Sequence, residues 1–319
     1  MTESPTVHRP AVLHAPAEVS VADAADWLTE RGEEITSLRL AHGAVRVHGL
    51  PFTTPEEFGV LRDRLIRRPS SYVEKATPRS DYGNGVFTAT DFPARREIRL
   101  HNENSYATEF PGLLVFGCLV APTSGGETTV GDMRALTRMV PPDLLDRFRR
   151  HGWRLVRNYW EFLGLAWQVA FDTEDPVEVE RYALAQRLSV EWVDGRLRTS
   201  QDRSAVVRHP VTGDECWFNH VAFWNKWTMA DDVRELLSAE CGDDLPYRTM
   251  LGDGAELDRA DVDELNSLYD QVRTVQAWHP GDLLIVDNIL MAHGRSPYEG
   301  PRQVLVALGE PVDRSRCEP

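Results

Sequence analysis

A β-built core of jelly-roll type with helices packed outside it, α+β in class, is the fold this sequence predicts. Three observations point there. Strand signals are short and widely separated, and they neither alternate regularly with helices nor keep the spacing of a Rossmann unit. No GxGxxG or GxxxxGKS/T phosphate loop occurs, which removes the commonest nucleotide-binding folds. Neither an internal repeat nor a low-complexity tract interrupts the 319 residues, so the chain reads as one mixed pattern.

Taken in order, residues 1–20 mix Pro, Ala and His without periodicity and read as a flexible, surface-draped arm; residues 21–319 read as a single jelly-roll domain with helical insertions. Thr54, Pro55 and Glu57 supply an N-cap, a first-turn proline and a capping-box acid, predicting a helix from there to about residue 68. Further helices are predicted over 21–31, 142–150, 177–187, 232–240 and 262–278, several ending in Gly or Pro signals. Strands are predicted over 44–47, 97–103, 113–120, 205–208, 215–219, 283–287 and 303–308. The apolar run around Leu113 to Ala121 is too short to span a bilayer and reads as a buried strand.

Composition narrows the function. A 42% hydrophobic content is enough for a large core, and a formal net charge of −15 repels phosphates, which argues against nucleic acid and anionic membrane as partners. A small or cationic substrate fits better. The cysteines Cys118, Cys216, Cys241 and Cys317 lack CxxC spacing, and the N-terminus carries no signal-peptide pattern, so reduced thiols and a cytoplasmic location are expected. Oligomeric state leaves no trace in the sequence.

The chemistry-bearing residues sit late in a predicted strand. His101 and Glu103 are two apart, so on an extended backbone both project from one face and supply two ligands of a facial triad, leaving positions on an Fe(II) ion open. Alone, the triplet reads more readily as a surface histidine beside a solvated glutamate. Its context is informative. Beyond the apolar strand 283–287 comes Met291-Ala292-His293-Gly294-Arg295, and Arg302 leads into the next apolar strand. A guanidinium at a strand start in a barrel mouth suits the distal carboxylate of a dicarboxylic acid; Arg295 is the competing anchor, and strand entry favours Arg302.

Here the chain resembles the TauD/TfdA family of Fe(II)/2-oxoglutarate dioxygenases, and within it the SyrP-like branch. The resemblance rests on ordered motifs: His101-Asn102-Glu103-Asn104-Ser105-Tyr106; Gly125-Gly126-Glu127-Thr128, its threonine 25 residues beyond Glu103; and Asp287-Asn288 through His293-Gly294-Arg295 to Gly300-Pro301-Arg302. Arg157-Asn158-Tyr159, His209-Pro210 and Trp217-Phe218-Asn219 look like the connecting segments of that branch. The match spans roughly residues 72–310, with a looser echo at 43–49. It implies a double-stranded β-helix fold, iron held by His101, Glu103 and His293, and the C5 carboxylate of 2-oxoglutarate held by Thr128 and Arg302. The family more often has Asp where Glu103 stands. Related halogenases have Gly or Ala there, so the retained carboxylate argues against halogenation.

The resemblance further implies Fe(II), 2-oxoglutarate and O2 as cofactor and co-substrates, with hydroxylation of an unactivated C–H bond as the default outcome and desaturation or cyclisation as alternatives. An amino acid or its derivative, free or carrier-tethered in natural-product biosynthesis, is the expected substrate, and the acidic surface favours the free form over docking to an acidic carrier. Arg79, Arg157, Asn158 and Asn219 are candidate pocket residues. His209 and His220 read as structural histidines, and Trp217, Phe218, Phe223, Trp224 and Trp227 as core. Two other classes stay open on the residues alone: a His2Glu zinc hydrolase, although the usual HExxH helix is absent, and a non-enzymatic jelly-roll binding module.

Overall fold

The computed structural model describes residues 5–70, 73–77, 80, 82–89, 92–161, 163–193 and 195–318. Two facing sheets form its centre. The major sheet runs, in spatial order, Ala11–His14, Ala44–His48, Leu283–Asp287, Glu109–Val120, Gln303–Asp313 and Phe87–Thr88; the minor sheet runs Arg273–Thr274, Thr128–Asp132, Met291–Arg295 and Ile98–His101. All pairings are antiparallel except the outermost, Ala11–His14 on Ala44–His48. This is the predicted jelly-roll, α+β in class.

Strand alternation explains the layers. Within Glu109–Val120, Leu114, Phe116 and Cys118 join Leu284, Val286, Val304, Val306 and Leu308 against Val130 and Met291 of the minor sheet. Leu113 and Val115 point the other way, with Leu283, Ile285 and Leu305, onto Leu28, Phe58 and Leu61 of two outer helices. Both faces of the major sheet are therefore buried, which is why its strands read as unbroken apolar runs.

Those outer helices, Val21–Glu30 and Pro55–Arg62, each open with a capping box, Ser20 with Asp23 and Thr54 with Glu57. The second stops short of residue 68: Arg64 N–H and Leu65 N–H bond three residues back, to Leu61 O and Arg62 O, and Pro69 bridges to Gly309. The helix predicted over 262–278 is Arg259–Val272; it ends because Arg273 and Thr274 pair with Gly131 and Val130.

The arm expected over 1–20 is in part a correction. Ala11–His14 is a sheet strand, and the backbone N–H and Nδ1 of His8 bond Asp132 at 2.9 and 2.6 Å. Helices Gly32–His42, Met133–Met139 and Trp167–Phe171 were not foreseen, nor were strands such as Thr128–Asp132, Met291–Arg295 and Arg196–Arg203. The last is polar apart from Leu197, yet pairing with Trp153–Asn158 and Ser189–Val193 makes it a strand that buries alternate residues. Among the described residues no helix is long and apolar enough to cross a membrane.

Candidate active site

Register brings the two histidines together. Ile98–His101 and Met291–Arg295 are antiparallel neighbours in which His101 and His293 are direct partners, and their ring centroids lie 4.4 Å apart. A bulge between His293 and Arg295 re-aims the strand at this point. His101 Nδ1 lies 2.9 Å from Arg99 O, and a carbonyl can only accept, so the proton sits on Nδ1 and Nε2 is left as the donor atom for a metal.

Glu103 arrives differently from the expectation. The strand ends at His101, and Glu103 belongs to the turn that follows, where Asn104 has φ +52. Two buried asparagines hold that turn. Asn288 Oδ1 accepts from Glu103 N–H at 2.8 Å, while its Nδ2 donates to Glu103 O at 2.9 Å and Pro111 O at 2.7 Å. Asn102 Nδ2 donates to Asn288 O and Met291 O at 2.6 and 3.2 Å. The carboxylate is thereby placed 3.6 Å from His293 Nε2, and one donor atom from each of His101, Glu103 and His293 lies within 4.8 Å of the other two. Two imidazoles and a carboxylate suit a divalent first-row ion, whose adjacent ligands at bonds of about 2.1 Å stand roughly 3 Å apart, so small rotamer adjustments close the set.

One cavity joins the two histidines of this cluster to the expected co-substrate end: His101, His293, Phe116, Thr128, Arg295 and Arg302 all line it. Arg302 Nε donates to Gly126 O at 2.8 Å, and among the described residues its terminal nitrogens make no hydrogen bond and no ion pair. Burial above all, then the nearby Arg295, pushes its guanidinium pKa down to about 10, so it remains charged at neutral pH. Gly126, at φ +70, makes this packing possible, since a Cβ there would lie 2.7 Å from Pro122 and 3.1 Å from Arg302 Cδ. Arg295 is engaged instead with the protein, donating to Phe92 O at 3.0 Å and to Pro93 O and Arg96 O at 2.7 Å. Thr128 pairs with Arg295 across the sheet, and its Oγ1 accepts from Trp278 Nε1 at 3.3 Å.

The remaining sequence candidates are tied into the framework. Arg157 donates to Glu74 O and Lys75 O at 3.2 and 2.9 Å and faces the Glu74 carboxylate at 3.5 Å; Asn158 bonds Leu245 O and Arg198; Asn219 bonds Ala205 O and Val221 N–H. Arg79 lies outside the described residues. His209 faces Asp287 at 3.3 Å and accepts from Val211 N–H and Thr212 N–H. His220 bonds Ser105 and stacks on Trp224 at 4.2 Å; burial, then its neighbours His101 and Arg157, hold its pKa well below the usual range. Phe223 packs against the core as expected, half-buried and with its ring 4.7 Å from that of His101. Asn102 and Asn288 lie inside the sequence motifs, where nothing in the sequence assigns them a role. No local signal reveals a clamp between residues 185 apart.

A larger surface cleft, with Arg203 and Arg314 in its lining, lies elsewhere, and none of the residues of the three-donor cluster lines it. Arg314 is bonded to Ser105 O and Ala107 O and Arg203 to Tyr106 O, so these guanidiniums brace the back of the turn.

The sequence matches the model of the taurine catabolism dioxygenase TauD, TfdA family over residues 7–308. It is 37% identical over 272 residues to the dapdiamide synthesis protein DdaC of Enterobacter agglomerans, covering 85% of this chain and 83% of that one. Among solved structures, PvcB of Pseudomonas aeruginosa superposes with a TM-score of 0.52 at 16% identity, covering 95% of this chain and 87% of that one. An asparagine oxygenase solved with Fe(II), 3-hydroxyasparagine and succinate superposes with a TM-score of 0.56 at 13% identity, over 91% of this chain and 82% of that one; at such identities the likeness concerns the fold. The protein is thus a non-haem oxygenase dependent on Fe(II), 2-oxoglutarate and O2, acting on a small molecule. Within that class it belongs to the TauD/TfdA dioxygenase family. The zinc-hydrolase and binding-module readings are set aside.

Proposed function

We propose that the protein hydroxylates an unactivated C–H bond of an amino acid or amino-acid derivative, with Fe(II) on His101, Glu103 and His293 and the C5 carboxylate of 2-oxoglutarate on Arg302, with Thr128 beside it. The observation that carries this reading is a single cavity lined both by His101 and His293 of the three-donor cluster and by Thr128 and Arg302, whose terminal nitrogens are available. When bound, the iron couples decarboxylation of 2-oxoglutarate by O2 to C–H oxidation, giving succinate, CO2 and alcohol in equal amounts. The chain's own residues do the rest. His101 is fixed in one tautomer by Arg99 O, Asn288 holds the Glu103 turn, and Phe116 and Phe223 give the two histidines apolar walls, with ring centroids 5.3 Å from His293 and 4.7 Å from His101. As an iron ligand, Glu103 would fill the position that a halide needs, which favours hydroxyl transfer.

The substrate class is supported by DdaC, whose name assigns it to dapdiamide synthesis, and by the hydroxyasparagine bound to the structurally similar asparagine oxygenase. A free substrate is favoured over a carrier-tethered one, since a net charge of −15 opposes docking of an acidic carrier. Its free cysteines, three of the four buried, suit the reducing cytoplasm. The test is aerobic incubation with Fe(II), 2-oxoglutarate and a panel of free and carrier-loaded amino acids, scoring succinate together with product mass. A gain of one oxygen matched by succinate supports the reading; a chlorinated product, or succinate without any substrate oxidation across the panel, contradicts it.

A further inference from the structure

We propose that His48, His279 and Asp282, with His14 beside them, bind a divalent transition-metal ion of the zinc, nickel or copper type at a second site, sharing no residue with the catalytic cluster. One donor atom from each of His48, His279 and Asp282 lies within 4.8 Å of the other two. His14 adds a third imidazole, stacked on His48 with centroids 5.3 Å apart. Imidazole-rich sites select zinc, nickel and copper over magnesium and calcium.

The fold builds the site from three separated segments. His14 and His48 are the last register partners of the parallel pair at the sheet edge. The turn carrying His279 and Asp282 is pinned against the chain just after His48: Leu50 N–H donates to Gly281 O at 3.0 Å, and a Cβ on Gly281, at φ +85, would lie 2.2 Å from Leu50 O. Gly281 N–H bonds Cys118 O, and Cys118 N–H bonds Asp282 O, locking the turn to the central strand as well. His48 and His279 are therefore held near one another before any ion arrives, with centroids 6.0 Å apart.

The two carboxylate oxygens of Asp282 have different duties. Oδ2 accepts from His279 N–H at 3.0 Å, lies 3.5 Å from His279 Nδ1 and stands 3.3 Å from the buried guanidinium of Arg46, itself stacked on Trp278, so the structural task of neutralising Arg46 falls on that oxygen. Oδ1 faces His48 Nδ1 at 2.7 Å, a hydrogen-bond distance. Ligands around a tetrahedral zinc stand roughly 3.3 Å apart, so an ion entering there replaces the shared proton and parts the pair by about half an ångström. Alternatively His48 binds through Nε2, with Asp282 orienting the ring. Both geometries use His48 and His279. Asp282 is 1% exposed and His279 71% exposed, so the site has an anchored carboxylate and an open side for the ion to enter. Occupancy would tie the edge strand Ala11–His14 to the sheet.

The experiment uses untagged, chelator-stripped full-length protein carrying His101→Ala and His293→Ala, so that the catalytic cluster does not bind the probe, and reads Zn2+ binding against a chromophoric competitor. One equivalent of Zn2+ is expected to bind, with a rise in melting temperature. His279→Ala and, separately, His48→Gln in that background should each weaken binding by at least about 10-fold and remove the thermal shift. Circular dichroism confirms that each variant is folded, and His279 is exposed enough for its replacement to leave the core intact. His279→Ala in the wild-type background should leave Fe(II)-dependent turnover unchanged. Zinc affinity that differs by less than about 10-fold between the background and both variants overturns the proposal.

Discussion

Arg302→Leu tests the co-substrate end of the site most directly. The guanidinium is buried, bonded to the protein through Nε alone among the described residues, and charged at neutral pH even with its pKa pushed down to about 10. Its terminal nitrogens are therefore available to the C5 carboxylate in a low-dielectric setting, where truncating one partner of a charge-assisted pair costs about 2–5 kcal/mol. That range corresponds to a rise of roughly 30- to 4000-fold in the 2-oxoglutarate requirement. Stability should change little, because one bond to Gly126 O is lost. Arg295→Leu should behave oppositely: it strips donors from Phe92 O, Pro93 O and Arg96 O, so a loss of about 1–3 kcal/mol in unfolding free energy is expected with a smaller effect on 2-oxoglutarate. The assay is an anaerobic titration of the Fe(II)–2-oxoglutarate charge-transfer band, paired with denaturant unfolding. Arg302→Lys should recover part of the affinity, since it restores the charge without the planar fork. An unchanged titration in Arg302→Leu, or a larger shift in Arg295→Leu, would move the anchor to Arg295 and refute the reasoning.

His101→Ala and His293→Ala should each abolish the charge-transfer band while leaving the far-ultraviolet dichroism intact; a band that persists in both would dismiss the three-ligand assignment. Asn288→Ala removes the bonds to Glu103 N–H, Glu103 O and Pro111 O, and should lower unfolding free energy by about 1–3 kcal/mol and weaken Fe(II) binding by about 10- to 100-fold. Unaltered Fe(II) affinity in that variant would show that the turn holds without its clamp. Burial raises the Cys118 thiol pKa to about 12 and the Cys317 thiol to about 11, so at pH 8.5 both should exist almost wholly as unreactive thiol, whereas half-exposed Cys241 should be alkylated first. Mass spectrometry after timed alkylation checks the order. If charge repulsion sets the choice of a free substrate, added salt should raise turnover of carrier-loaded substrates and leave that of free ones unchanged.

Much of the fold was legible because the major sheet is buried on both faces. Its central strands carry continuous apolar runs at 113–120, 283–287 and 303–308, and capping chemistry at Thr54 and Glu57 announces a helix start without any tertiary help. Strands whose residues are polar or mixed escaped, because pairing rather than composition makes them strands. Arg196–Arg203 is the clearest case, with Thr199, Gln201 and Arg203 buried only because neighbouring strands cover them. Ala11–His14 escaped for the same reason: four residues have no strand identity until Ala44–His48 lies alongside.

The ordered motifs carried the family, and with it the expectation that His101, Glu103, His293, Thr128 and Arg302 meet in one place. Side-chain chemistry is local and survives in the sequence, so a histidine–x–glutamate triplet and an arginine at a strand entry are visible there. How they meet is decided by the tertiary structure. His101 reaches His293 through the register of two strands, and Glu103 joins them through a turn held by Asn288, where strand alternation had been the expectation. The same applies to the choice between Arg302 and Arg295, which turns on which guanidinium the surrounding carbonyls already occupy. Hydrogen bonds between residues far apart in the chain depend on how the sheets close, and one sequence carries no record of that closure.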